Sequence, residues 1–300
     1  MNALTPLETL YASERNGGRN GGRGGASGGG RGDLPLPPDL LTLYGPLQFP
    51  PHPGRAYLIG NFVTTLDGVV SLAVPGHAGG GEISGFNQHD HLVMGLLRAS
   101  ADAVIVGAGT LRAVPTHLWT AEYINPPQAL AYQTLRITMG RPEPPLTVIV
   151  TARGELNLDL PVFQSGTGPV LIVTTAAGFQ RISAQPLPSG VEISTVHHAD
   201  AISAQEILEA AQSVRQSDII LVEGGPRLMG DFFAERCLHE LFLTLAPQIA
   251  GRDDAAERPG LVTGQLFAPE RPLWGTLIGV KRGGSHLFLR YAFETKETAP

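Results

Sequence analysis

From Arg55 onward the hydrophobic residues of this chain fall into short continuous runs separated by amphipathic stretches. The first run, residues 56–65 (AYLIGNFVTT), ends at the turn dipeptide Asp67-Gly68 and reads as a buried strand. Residues 103–106 (AVIV), 146–150, 170–173 and 219–222 are further runs of this kind, as expected for strands covered on both faces. Between the first two, Leu92, Leu96, Leu97 and Ala99 form the apolar stripe of a helix for which Ser84 is the candidate N-cap. Residues 203–215 (SAQEILEAAQSVR) predict an amphipathic helix with Ser203 and Glu206 in capping-box spacing, and residues 225–235 predict another. Residues 276–280 and 286–293, around Arg282-Gly283-Gly284-Ser285, predict an antiparallel hairpin. Strands alternating with helices place the chain in the α/β class. The expected architecture is a mixed, mostly parallel sheet flanked by helices and closed by a C-terminal antiparallel hairpin. In such sheets ligands gather at the carboxyl ends of the strands.

The region before Arg55 is different. Residues 15–32 (RNGGRNGGRGGASGGGRG) contain no apolar side chain larger than alanine and cannot offset their ordering entropy by burial, so residues 1–33 are expected to be a disordered extension. Residues 34–54 are punctuated by prolines and read as an extended lead-in lying over the surface. One domain, residues 55–295, is left. The Arg-Gly character of the extension is that of RNA-binding tails, but it is short and has no aromatic residues, so a solvated extension is the expectation and nucleic acid is not an expected partner.

Composition narrows the class. Of 300 residues, 42% are hydrophobic and 16% charged, enough for one large core. A net charge of −6 and a pI near 5.8 oppose non-specific attraction to nucleic acid or anionic lipid. No apolar run reaches the roughly eighteen residues of a membrane span, and residues 1–30 lack the apolar centre of a signal peptide. A cytoplasmic protein is expected. The single cysteine, Cys237, excludes an intrachain disulfide and a multi-cysteine metal site, and no metal is expected.

Three segments carry candidate chemistry. Val106-Gly107-Ala108-Gly109-Thr110-Leu111-Arg112 follows a buried strand; its glycines allow a ligand close to the backbone, and the helix start offers unpaired N–H groups to a phosphate. Arg112 stands where a Rossmann fingerprint has its third glycine, so a plain strand-to-helix turn remains open beside a phosphate cradle. Val222-Glu223-Gly224-Gly225-Pro226-Arg227-Leu228 repeats the strand–glycine–helix pattern, with Pro226 suited to a first helical turn. Glu223 at a strand end needs either a partner or a ligand. Asp67 in Thr64-Thr65-Leu66-Asp67-Gly68 is a turn former or a cleft carboxylate. His89, His91 and His197-His198 read as solvated, and Cys237 as a small buried apolar side chain.

Taken together, these motifs resemble a known family. Asn61 through Gly68, Ile83-Ser84-Gly85, Leu97-Arg98-Ala99, Ala101-Asp102-Ala103-Val104, Gly107 through Arg112, Glu223-Gly224-Gly225-Pro226, Leu245-Ala246-Pro247 and Phe288-Leu289-Arg290-Tyr291 occur in order. They resemble the C-terminal reductase domain of bacterial bifunctional riboflavin-biosynthesis deaminase-reductases. The resemblance covers roughly residues 55–293. It implies a dihydrofolate-reductase-like fold, NADPH as hydride donor, a small-molecule substrate and a homodimer. The family's substrate is a phosphoribosylamino-pyrimidine. The implied cofactor residues are Gly107, Thr110, Leu111 and Arg112, then Thr151, then Gly224, Gly225, Pro226, Arg227 and Leu228. The implied catalytic residues are Glu223, facing the substrate, and Asp67, near the nicotinamide or ribose. Arg153, just past the Thr151 strand end, is added as a partner for a 2′-phosphate.

The departures also carry information. Val69 stands after Leu66-Asp67-Gly68, where the family has a basic or polar residue. The family's Ala-Asp-Asp-Pro and following arginine are replaced by Ala113-Val114-Pro115-Thr116-His117-Leu118-Trp119, with no arginine between Arg112 and Arg136. The cofactor half therefore matches better than the substrate-phosphate half. One cysteine cannot supply the ligands of a zinc deaminase, so a standalone reductase domain is expected. A pterin or dihydrofolate-type reductase, a non-catalytic nucleotide-binding protein and an RNA-associated protein are the alternatives.

Overall fold

Strands β2 (Tyr57–Thr64), β3 (Ala103–Gly107), β4 (Leu146–Thr151), β5 (Val170–Thr174) and β7 (Ile219–Val222) are buried along nearly their whole length. They form the centre of a ten-stranded sheet in the computed structural model, which describes residues 4–13, 32–198, 201–253 and 257–296. Strands β6 (Val191–Thr195) and β8 (Glu240–Leu245) extend this parallel region on either side. Beyond β8 lie β10 (His286–Ala292), β9 (Thr276–Gly283) and β1 (Glu8–Ala12), all antiparallel. The full order is β1-β9-β10-β8-β2-β7-β3-β4-β5-β6. Mixed, mostly parallel and closed by a C-terminal hairpin, it is the architecture that the runs predict.

Alternation within each strand divides the core. Ile59, Val104, Val106, Ile149 and Leu221 join one cluster, while Leu58, Ile105, Val148, Ile220 and Val222 join another. Successive side chains of a strand point to opposite faces, so continuous apolar runs require a helix layer on each side. Helices α1 (Pro38–Tyr44), α3 (Gln88–Ser100) and α6 (Ala129–Thr138) cover the first face through Leu40, Leu96 and Tyr132. Helices α9 (Ala204–Val214) and α10 (Pro226–Ala234) cover the second through Ile207, Met229 and Phe232. Shorter helical turns are α2 (Gly80–Ser84), α4 (Ala108–Ala113), α5 (Ala121–Ile124), α7 (Pro161–Gln164) and α8 (Ala176–Ile182). Gly95 lets α3 approach α6 closely, because a Cβ there would stand 2.5 Å from the Tyr132 hydroxyl. That hydroxyl donates to the Leu92 carbonyl at 3.1 Å. Among the described residues, no helix is long and apolar enough to cross a membrane.

Local chemistry explains where the structure follows the sequence and where it corrects it. The capping box of α9 is present, with Ser203 and Glu206 satisfying each other's backbone N–H groups. Ser84 does not start the long helix. It ends α2, Gly85 takes a left-handed conformation at φ 61°, and Asn87 caps α3 by accepting from the N–H groups of His89 and Asp90. An asparagine is as good an N-cap as a serine, and the left-handed glycine turns the chain before it. The proline-rich lead-in is not wholly extended. Pro38 opens α1, where a missing N–H is harmless, and Leu40 and Tyr44 reach the core. The extension of residues 1–33 is ordered in part: Glu8–Ala12 pairs with β9 and Leu7 is buried, so the described segment 4–13 belongs to the same sheet as the domain. Most of the glycine- and arginine-rich stretch, residues 14–31, lies outside the described residues.

Candidate active site

Strands β2, β7, β3 and β4 run parallel, and their carboxyl ends open on a cleft of about 1540 Å³. The turns after β3 and β7 face each other across it: a Cβ on Gly225 would stand 3.2 Å from Thr110 Oγ1. Gly225 is the N-cap of α10 and offers no side-chain cap, which leaves first-turn N–H groups open to a ligand. Its φ of −63° is ordinary, so the close approach is what requires glycine here. Gly107, Thr110, Arg112, Gly224, Pro226, Arg227 and Leu228 line the same space. Thr151 and Arg153 join them at the end of β4. Thr151 Oγ1 accepts from the Gly154 N–H at 3.1 Å and tightens that turn, while Arg153 is exposed. Leu111 is corrected. It is 1% exposed and belongs to the core, because the helical turn of α4 points it inward while Thr110 and Arg112 face the cleft.

Asp67 is corrected as well, since it does not line the cleft. Its carboxylate accepts from the Thr65 hydroxyl at 2.6 Å and from the N–H groups of Ala250 at 3.1 Å and Gly251 at 2.7 Å. The Thr65 hydroxyl first, then the Ala250 and Gly251 amides, hold its pKa down to about 2. These bonds make Asp67 the clasp between two loops. Val69 beside it is fully buried with Val63, Ile83 and Ala246, so a charged side chain has no place there.

Glu223 lines the cleft, and its partners come from two other elements. Arg98 of α3 holds Oε2 through Nε at 2.9 Å and Nη2 at 2.8 Å, and Asn61 of β2 donates to Oε1 at 3.2 Å. Arg98 is 2% exposed. Its Nη1 donates to the carbonyls of Leu118 and Thr120, and its Nη2 lies 2.9 Å from His117 Nε2. All five guanidinium N–H donors are therefore engaged. Burial first, then Arg98 and His91, push the His117 pKa down to about 3.

Arg98, His117, Asn61 and Asp90 were given no role by the sequence reading, and His91 was read as solvated. Arg98 alone left a signal, a charge inside an apolar helical stripe. The histidines of α3 are not simply solvated: His89 is buried with Nε2 2.8 Å from the Thr5 carbonyl, and His91 lines the cleft, its pKa lowered mainly by burial. Asp90 is 4% exposed and one of its oxygens has no hydrogen-bond partner among the described residues. Burial raises its pKa against the hydroxyls of Thr244 and Ser84 and the nearby His91 and His286. His198 lines the cleft and meets Glu206 at 2.8 Å, and Cys237 is half-buried.

A cleft at the carboxyl edge of parallel strands, walled by two glycine turns and an open helix N-terminus, is where α/β proteins as a class place their ligands. The family model of the RibD C-terminal domain matches residues 56–270, and the chain belongs to that family. It is similar in structure to a diaminohydroxyphosphoribosylaminopyrimidine deaminase/5-amino-6-(5-phosphoribosylamino)uracil reductase of Thermotoga maritima, with 21% identity and a TM-score of 0.57. That match covers 80% of this chain and 57% of the Thermotoga chain. A pyrimidine reductase-like protein of Corynebacterium diphtheriae gives 18% identity and a TM-score of 0.59 over 80% of this chain and 93% of its own. The riboflavin biosynthesis reductase Rib7 of Saccharomyces cerevisiae gives 14% and 0.54 over 80% and 90%. No curated protein sequence matches the chain significantly.

Proposed function

We propose that the protein is an NADPH-dependent reductase of the pyrimidine-reductase type, resembling 5-amino-6-(5-phosphoribosylamino)uracil reductase and acting on a small heterocycle-linked acceptor. The observation that carries this reading is the facing pair of glycine turns in a chain of the RibD C-terminal domain family. A side chain on Gly225 would fill the gap in front of Thr110 Oγ1, and the first turn of α10 beside it has no side-chain cap. These features fit a dinucleotide phosphate. Gly107, Thr110, Gly225 and the first turn of α10 would hold the pyrophosphate, with Arg153 at the 2′-phosphate. When bound, the nicotinamide supplies the hydride.

The chain's own part is positioning. Glu223 stands between β2 and α3, its carboxylate held by Arg98 and Asn61. A carboxylate fixed on both oxygens presents its remaining lone pairs in a set direction and orients ring N–H or hydroxyl groups of an acceptor. A homodimer and a cytoplasmic location are part of the same proposal, supported by the family resemblance. The test is calorimetric titration with NADPH and NADH, followed by NADPH oxidation with the pyrimidine ribosyl phosphate and dihydrofolate in parallel. Binding of NADPH in preference to NADH, with oxidation by a pyrimidine acceptor, is expected. No binding of either nucleotide at about millimolar concentration, a binding free energy weaker than about 4 kcal/mol, refutes the reading.

A further inference from the structure

A second cavity shares no lining residue with the cleft. It holds about 90 Å³ and is bounded by α1, α3 and the strands β1, β9, β10 and β8. Thr9, Tyr44, Lys281 and Arg290 bring polar side chains to it, and Val93, Phe242 and Phe288 bring apolar ones. Most of the lining comes from before residue 56 or after residue 270, outside the stretch that the RibD C-terminal domain model matches. The charges in this cavity do not balance. Arg290 is matched, since its guanidinium donates to Glu240 Oε2 at 2.6 Å and to the Gln48 carbonyl. Lys281 is not. Its Nζ donates to Thr9 Oγ1 at 3.0 Å and stands 4.8 Å from the centre of the Tyr44 ring, with no carboxylate partner among the described residues. Burial first, then the positive charge of Arg290, lowers its pKa, the direction expected of an ammonium with no anion beside it.

Tyr44 adds a second open donor. It is 5% exposed, and its hydroxyl has no hydrogen-bond partner among the described residues. Burial is the main cause that raises its pKa to about 12, so the hydroxyl keeps its proton. Thr9 takes one of the three N–H donors of Lys281, which leaves the ammonium with donors to spare. An occupant of this space must bring negative charge, accept hydrogen bonds at one end and meet phenylalanine rings at the other. Water supplies no charge. A phosphate ester, at about −1.5 to −2, brings more charge than one unmatched cation answers. A short carboxylate fits, because its two oxygens accept from Nζ and from the Tyr44 hydroxyl while its carbon chain lies against Phe242 and Phe288. We propose that this cavity binds a short monocarboxylate, with Lys281 as its counter-ion and Tyr44 as its hydroxyl donor. The occupant ties β1 and α1 to the C-terminal hairpin, since its partners come from both. The site is independent of the reductase reading.

The test uses propionate and propionamide, which share a shape and differ in charge, titrated calorimetrically into the full chain at neutral pH. Propionate is expected to bind saturably with a Kd of about 1 mM or below, and propionamide at least about tenfold more weakly. The melting temperature should rise with propionate and stay level with propionamide, because a ligand of the folded state alone stabilises it. Lys281→Met keeps the length of the side chain and removes the charge. It should weaken propionate by about tenfold or more and abolish the preference over the amide. Tyr44→Phe keeps the ring under Lys281 and removes the donor, and should cost about three- to tenfold, the scale of one hydrogen bond. The absence of saturable propionate binding at about 100 mM overturns the inference. So does propionamide binding as tightly as propionate, or a folded Lys281→Met protein that keeps the wild-type affinity. Where Lys281→Met does not fold, the comparison of the two probes on the wild-type chain decides.

Discussion

Arg98→Leu removes the centre of the network that holds Glu223 in the cleft. In the wild type the guanidinium pairs with Glu223 Oε2, caps the carbonyls of Leu118 and Thr120, and donates to His117. The leucine leaves a carboxylate that is 6% exposed with Asn61 as its remaining donor, and leaves the Leu118 and Thr120 carbonyls without the Arg98 donor. Breaking a buried pair from one side costs about 3–5 kcal/mol, because the remaining charge stays desolvated. At about 2–4 °C per kcal/mol, the melting temperature should fall by roughly 6–20 °C. Glu223→Gln keeps the shape and an acceptor oxygen, and should cost less, about 1.5–3 kcal/mol for a lost charge-assisted bond. The double variant Arg98→Leu/Glu223→Leu should recover part of the loss, since no charge is then stranded. Urea and thermal unfolding of the wild type, Arg98→Leu, Glu223→Leu and the double variant give the coupling energy directly. A melting temperature for Arg98→Leu within about 2 °C of the wild type, less than about 1 kcal/mol, would refute the reasoning.

Three further outcomes follow from the site. Asp67→Asn should lower stability at neutral pH and leave turnover near wild type: the folded pKa of about 2 lies below the ordinary aspartate value of 3.8, so the carboxylate's contribution is complete above about pH 4 and is lost as pH falls through 2. Melting curves of both proteins across that range should converge at the acid end, and a turnover loss of about tenfold would restore Asp67 as a catalytic residue. Gly225→Val should weaken NADPH binding by about tenfold or more while the chain stays folded, because the branched side chain must enter the gap before Thr110 Oγ1, 3.2 Å from where its Cβ would stand; normal affinity in a destabilised protein would make the glycine structural. Arg153→Ala should raise the Kd for NADPH by roughly tenfold, the scale of one charge-assisted bond, with little change for NADH. Equal losses for the two nucleotides would take the 2′-phosphate away from Arg153.

The central strands were legible because both of their faces are buried: a run such as Ala103-Val104-Ile105-Val106 has no polar position to dilute the signal. Strand β6 gives a weaker signal, since its exposure at the sheet edge leaves Val191 as its buried position. The same holds for β1, which is exposed along its length and is placed by pairing with β9. That the glycine turns and the end of β4 share one cleft was also readable. Gly107, Thr110, Thr151 and Gly225 are local features at strand ends, and a motif spanning a few residues brings its own geometry with it.

Period and punctuation along the chain determined the class of this protein: which segments are strands, that helices must cover both faces of the sheet, and that glycine turns stand at the strand ends. Those are near-neighbour properties, set by side-chain burial and backbone freedom over a few residues. The chemistry around Glu223 was decided by the tertiary structure. Asp67 and Glu223 look alike in sequence, each a carboxylate near a strand end, yet one is clasped by amides from residues 250 and 251 and the other meets Arg98, more than a hundred positions away. His117 sits in a segment with no readable motif; burial first, then Arg98 against one of its nitrogens, lowers its pKa. A side chain's charge state and free donors depend on which distant groups the fold brings within hydrogen-bond reach, and no local pattern carries that information.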